Sequence, residues 1–298
     1  PMLVTKSIGG PAVTLSFRPL RSSMVLISFL GFSVTFTYFT DEEYERAFFE
    51  FGGIREKIAD RLQNIRQLDD GLILDLLSGH GLLSAEMALR FPNVKIIGTG
   101  LSNDVESYKR VVDSDRYPEE TWSDYQYIEC DVCQIPLESS SCDIVTNFMG
   151  LEDLRMTSGK KGVEQTFSEI ARVAKPGALV ELTLVEYGSF PEEKLAREIW
   201  STIGLGAVYS SREYYLEQLK PLSMNLVEEM ELVLQKKMTA SQAREELEFA
   251  CEHAPRIFSD FGVSAVQFDE LWKEYSDRIY EHGMAYWSRI RVLILRKE

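Results

Sequence analysis

The 298-residue chain is short of the residues that staple or metallate proteins, with four cysteines and three histidines. Cys130, Cys133, Cys142 and Cys251 are too few and too irregularly spaced for a disulfide framework. Cys130 and Cys133 stand in a C-x-x-C, yet no second such pair and no spaced histidine pair supplies the other two ligands of a structural zinc. They read as small buried side chains at a strand end, and no metal is expected. Basic charge is also scarce, 32 Lys and Arg against 47 Asp and Glu, a net charge of −15. Binding along a phosphate backbone rests on cations, so a nucleic-acid partner is not expected. No apolar run is long enough to span a bilayer. The longest, residues 24–39, follows Arg18 and Arg21 and looks like a signal peptide only superficially. It lacks an Ala-x-Ala-like cleavage site and is rich in β-branched and aromatic residues, so residues 1–39 read as an extension of strands or an interface arm. The alternative is translation beginning at Met24 or later. No repeat and no low-complexity segment is present. The remaining composition, 45% apolar and 27% charged, suits a soluble, cytoplasmic chain with one sizeable core.

The chain is organised around residues 71–83, where Leu72, Ile73, Leu74, Leu76 and Leu77 precede a turn of Ser78, Gly79, His80 and Gly81. Leu82, Ala85, Met87 and Ala88 then follow at helical spacing. That pattern predicts a buried strand, a tight turn and a helix. The two glycines let backbone N–H groups approach a ligand at the helix N-terminus. Asp75 precedes the turn and Ser84 stands at the third position of the turn-to-helix pattern, whereas a dinucleotide fingerprint wants a third glycine and an acid some 20 residues later. A nicotinamide oxidoreductase is therefore a distant reading.

Further along, apolar strands alternate with helical patterns. Strands are predicted at 72–77, 94–99, 125–129, 143–148 and 178–186, with helices at 82–91, 102–112 and 162–174. This β-α alternation predicts an α/β fold, a doubly wound, mostly parallel sheet whose ligands lie outside the carboxyl ends of the strands. A helix with Tyr44, Phe48 and Phe49 starts at a capping box over 40–43, and residues 40–70 read as a helical cap. Beyond Pro191 the pattern is mostly helical. Residues 288–297 form a last strand, read as an edge strand paired with 226–234. The core of the fold then comprises 71–237 and 288–298, and 238–287 is a helical insertion or lid.

The D-x-x-x-G-x-G spacing of Asp75, Gly79 and Gly81 resembles the first motif of the class I S-adenosylmethionine-dependent methyltransferases. So does the run from Pro136 and Leu137 to Cys142, Asp143, Ile144 and Val145, and the turn of Lys175, Pro176 and Gly177. The match holds in order over 71–186. It implies a seven-stranded sheet with S-adenosylmethionine as cofactor, held by Asp75, Leu76, Ser78, Gly79, Gly81, Gly100, Leu101, Ser102, Asp131, Val132 and Asn147. In that family the Asp75 position supports the loop and the methionyl ammonium, and the Asp131 position accepts from the adenine amine. Gly100 departs from the pattern, because the family ends its second strand with an acid that holds the ribose. Loss of that bond weakens binding by about 1.5–3 kcal/mol unless Asn103, Asp104 or Glu106 replaces it.

The [DN]-P-P-[FY] motif of enzymes that methylate exocyclic amines of bases or of glutamine is missing. A small-molecule acceptor is expected first, a protein acceptor second; a homo-oligomer is compatible with both. Candidate bases are His282, Tyr286, His253 and Glu152, with His80 given a loop role. A binding or scaffold protein on a degenerate methyltransferase fold is the competing reading.

Overall fold

The computed structural model describes residues 14–15, 52–113, 117–233, 237–257, 263, 265–285 and 289–298. In chain order the elements are β1 (Thr14–Leu15), α1 (Gly52–Ile65), β2 (Leu72–Asp75), α2 (Leu82–Arg90), β3 (Lys95–Gly100), α3 (Ser102–Val112), β4 (Tyr125–Glu129) and β5 (Cys142–Phe148). They continue with α4 (Leu151–Val173), β6 (Ala174–Glu186), α5 (Pro191–Ile203), α6 (Arg212–Leu219), β7 (Met224–Val233), α7 (Ala240–Ile257), α8 (Phe268–His282) and β8 (Arg289–Lys297). The strands form one mixed sheet in the order β1-β4-β3-β2-β5-β6-β8-β7. Seven are the expected strands, and the two-residue β1 adds to the outer edge, antiparallel to β4.

Strands β2 to β6 run parallel, and β8 lies antiparallel between β6 and β7. From β2 the chain winds outward through β3 and β4, then returns to β5 on the opposite side, so the order reverses between β2 and β5. A doubly wound sheet opens a crevice there, beyond the carboxyl ends. Both faces are covered, which is why the parallel strands read as continuous apolar runs. Ile73, Ile96 and Ile144 join Leu62, Met87 and Tyr108 of α1, α2 and α3 on one face. Leu74, Ile97 and Val145 join Phe167 of α4 and Tyr215 of α6 on the other. A third cluster joins α5, α7 and α8 through Ile199, Trp200, Leu247, Tyr275 and Ile279. Among the described residues no helix is long and apolar enough to cross a membrane.

Two expectations are corrected. The last strand is not the edge: Ile290, Val292, Leu293, Ile294 and Leu295 are fully buried, and residues that are apolar on both faces demand neighbours on both sides. The edge is β7, whose Glu228, Glu229 and Glu231 discourage further strand pairing. Helix α4 also begins at Leu151, well before 162, because Glu152 and Asp153 complement the dipole of its first turn. Gly159, at φ 67°, kinks it and had hidden the first part from the periodicity. Apart from Thr14 and Leu15, the readings for residues 1–51 lie outside the described residues.

The amino ends of β2 and β5 are locked by Asp143. Its carboxylate accepts from Arg66 Nη2 at 2.9 Å, Lys175 Nζ at 2.6 Å and the Leu72 N–H at 3.1 Å. Within the sheet, Glu181 of β6 is fully buried beside Asn147, whose N–H donates to it at 3.2 Å, and the Thr183 hydroxyl. Burial pushes its carboxyl up to about 8.

Asp143→Ala leaves two cations and a backbone N–H without their acceptor and is expected to destabilise by about 2–3 kcal/mol in urea unfolding. For Glu181 the folded value lies above the ordinary glutamate value. Its stabilising neutral form is therefore complete below about 4.5 and lost as pH rises through about 8. Glu181→Gln is accordingly expected to match the parent's urea midpoint in acid and exceed it above about pH 8, a comparison of two unfolding curves.

Candidate active site

The corner after β2 is held from behind. Asp75 is 1% exposed; Ser84 Oγ of α2 donates to its Oδ2 at 2.5 Å and Thr146 Oγ1 of β5 donates to its Oδ1 at 2.9 Å. Burial pushes its carboxyl up to about 6, and the two hydroxyls work against the shift. With both oxygens turned to the protein, Asp75 supports the loop from beneath. Leu76 N–H donates to the Thr146 carbonyl, and Ser78 N–H to that of Thr99. Asn147, fully buried, donates through Nδ2 to the Leu76 carbonyl at 2.9 Å, tying the β5 end to the loop.

Backbone strain concentrates here. Gly79 and Gly81 have φ of 50° and 73°, and the non-glycine residues Leu77 and Met149 have 53° and 58°. Leu77 and Met149 end adjacent strands, and a Cβ on Gly150 would come within 2.7 Å of Leu77 Cβ. Such outliers persist where the surroundings over-determine them, commonly at ligand clamps. His80, 7% exposed, stays within this loop.

The next strand end explains the missing acid at Gly100. A Cβ there would meet the Tyr127 hydroxyl and lie 2.6 Å from Asp104 Oδ2, so no side chain fits. The Asp104 carboxylate itself occupies the position, rooted on the first turn of α3 with Leu101 N–H donating to Oδ2 at 2.9 Å. Burial raises its pKa. Leu101 is 60% exposed beside it, an apolar platform at the strand end. Ser102 starts α3. Asp131 is exposed after β4; Cys133 N–H donates to its Oδ1 at 2.9 Å, while Val132 is buried. The thiols of Cys130 and Cys133 are free and raised by burial. Among the described residues no group of His, Cys, Asp and Glu is placed to hold a metal ion.

Beyond β5, Glu152 is 6% exposed and neither carboxyl oxygen makes a hydrogen bond. Burial pushes it up to about 7, and Asp153 adds to the shift. Asp153 is exposed, yet enough protein surrounds it to push its carboxyl up to about 6, with Asp104 contributing. Tyr187, directly after β6, meets Tyr209 edge to face at 5.4 Å between centroids.

The structure thus brings Asp75, Leu76, Ser78, Gly79, Gly81, Gly100, Leu101, Asp131, Asn147 and Glu152 to one edge of the sheet. His253 and His282 lie on helices outside this loop. His253 lies against Phe249 on α7, and His282 ends α8 with Glu281 3.8 Å away. Tyr286 lies outside the described residues. Sequence reasoning passed over Asp153, Tyr187 and Tyr209. Asp153 and Tyr187 follow strand ends closely, a placement that flags ligand contact in this architecture.

Residues 74–182 match the family model described as a methyltransferase domain. A search of curated proteins returned no match. Among solved structures, the YcgJ protein of Bacillus subtilis is 13% identical with a TM-score of 0.54, covering 83% of this chain and 99% of that one. A putative methyltransferase of Bacillus halodurans is 14% identical with a TM-score of 0.51, covering 80% and 98%. A geranyl diphosphate methyltransferase in complex with SAM is 14% identical with a TM-score of 0.50, covering 83% and 85%. These likenesses establish the fold, and over residues 74–182 the chain is similar to the methyltransferase-domain family.

Proposed function

We propose that this chain binds S-adenosylmethionine in the β2/β5 crevice and methylates a small-molecule acceptor. The observation that carries the reading is the carboxylate at the Gly100 position: Asp104 reaches the place from α3 where the strand itself has no room for an acid. One Asp104 oxygen takes the Leu101 N–H, leaving the other for ribose hydroxyls. The strained Ser78–Gly81 turn offers backbone donors at the N-terminus of α2 to the methionyl carboxylate. Leu101 offers an apolar face to the adenine, and Asp131 retains a carboxyl oxygen for its amine. The residues present fit the group.

Bound there, S-adenosylmethionine supplies an electrophilic methyl carbon on a cationic sulfur. The chain's own work is then positioning and handling a proton, because in-line displacement depends mainly on alignment. Glu152 is the group for the proton: it stands two residues past the Met149–Gly150 turn that packs on the cofactor loop, with a carboxyl near neutrality. A compact acceptor suits the acceptor side. Tyr187 and Met156 pack there against the cluster of α5, α7 and α8, which would close over the crevice as a lid.

Calorimetric titration with S-adenosylmethionine tests the reading. The parent chain is expected to bind; Asp104→Asn should weaken binding by about ten- to a hundredfold, the worth of a charge-assisted bond. Absence of binding by the parent chain would overturn the proposal.

A further inference from the structure

Glu152 poses a separate problem of charge. A carboxylate removed from water without a hydrogen bond is costly, and native structures rarely leave one so. Both of its oxygens are buried and unpartnered, and among the described residues it has no lysine, arginine or histidine partner. The basic residue one turn along α4, Arg155, is occupied elsewhere: its Nη1 donates to Ser210 Oγ at 2.7 Å and its guanidinium lies over the Tyr214 ring at 5.5 Å.

What surrounds Glu152 is aromatic and acidic. Tyr209 and Tyr215 lie within its field, and Tyr187 packs edge to face on Tyr209. The hydroxyls of Tyr187 and Tyr215 are buried without partners. Asp153 and Asp104 add negative charge along the cleft wall. Tyrosine rings attract cations through their faces, more strongly where water is excluded.

We infer that the acceptor is an amine, drawn in as an ammonium ion by Glu152 and the faces of Tyr187 and Tyr209. A carboxylate or phosphate acceptor would meet three acids, and a neutral alcohol would forgo the ion pair that an ammonium forms with Glu152. The inference rests on the methyltransfer reading of the same cleft and adds the substrate class. One N–H proton of the ammonium passes to a Glu152 oxygen. The electron pair so freed forms the N–C bond as the C–S bond breaks, and the departing pair stays on sulfur. The product is a methylated ammonium, and neutral Glu152 returns its proton to solvent.

The test uses three probes of similar shape and different charge, 2-phenylethylamine, 2-phenylethanol and phenylacetate. Each is titrated calorimetrically into the full chain, with and without S-adenosylhomocysteine, whose own binding is measured separately. The amine is expected to bind at least about tenfold more tightly than the alcohol, and phenylacetate least. Glu152→Gln is expected to erase that preference while S-adenosylhomocysteine binds as before; Tyr209→Leu should weaken the amine severalfold. Equal binding of the three probes, no binding of the amine, or an amine preference that survives Glu152→Gln would overturn the inference. Failure of S-adenosylhomocysteine to bind beside an intact amine preference would instead sink the cofactor reading alone.

Discussion

The buried carboxylate of Asp75 joins three elements that the chain presents far apart: its own strand β2, the first turn of α2 through Ser84, and β5 through Thr146. Both oxygens are used, so the end of β2 cannot tilt without breaking a bond in a medium where water offers no replacement. Leu77, the Ser78–Gly81 turn and Met149 are held in strained backbone conformations on top of this joint. A site carried on braced strand ends keeps its geometry better than one carried on free loops. Thr146 pairs in register with Asp75 on one side and Glu181 on the other, so the brace continues into β6.

The acids of this chain serve two different purposes, and position in the sheet separates them. At the amino ends Asp143 is matched by Arg66 and Lys175, and near it Glu169 is matched by Arg172. Those are structural pairs. At the carboxyl ends Asp104, Asp153 and Glu152 have no matching cation among the described ion pairs, and burial raises all three. The excess of acids is thus divided between paired groups at the amino ends of the strands and unpaired ones at the carboxyl ends.

Much of this fold was legible in the sequence because its signals are local. Apolar runs bounded by glycine and proline marked six of the seven main strands to within one or two residues, while β6 starts four residues earlier than read, and the Asp75-to-Gly81 spacing marked the corner. The first part of α4 was hidden by Gly159, and the interior place of β8 depended on pairing that periodicity does not report. Gly100 looked like a loss. The packing of Tyr127 and Asp104 against it places a carboxylate from the neighbouring helix beside that strand end.

The sequence by itself determined the order of strands and helices and the glycine turn after β2, since hydrophobic spacing and turn chemistry act over a few residues. Tertiary structure alone decided which side chains meet: Asp75 with Thr146, 71 residues apart, Asp104 opposite Asp153, and Glu152 beside Tyr209. The state of those groups depends on desolvation and on charges brought from distant segments, quantities that exist only once the sheet has closed around them.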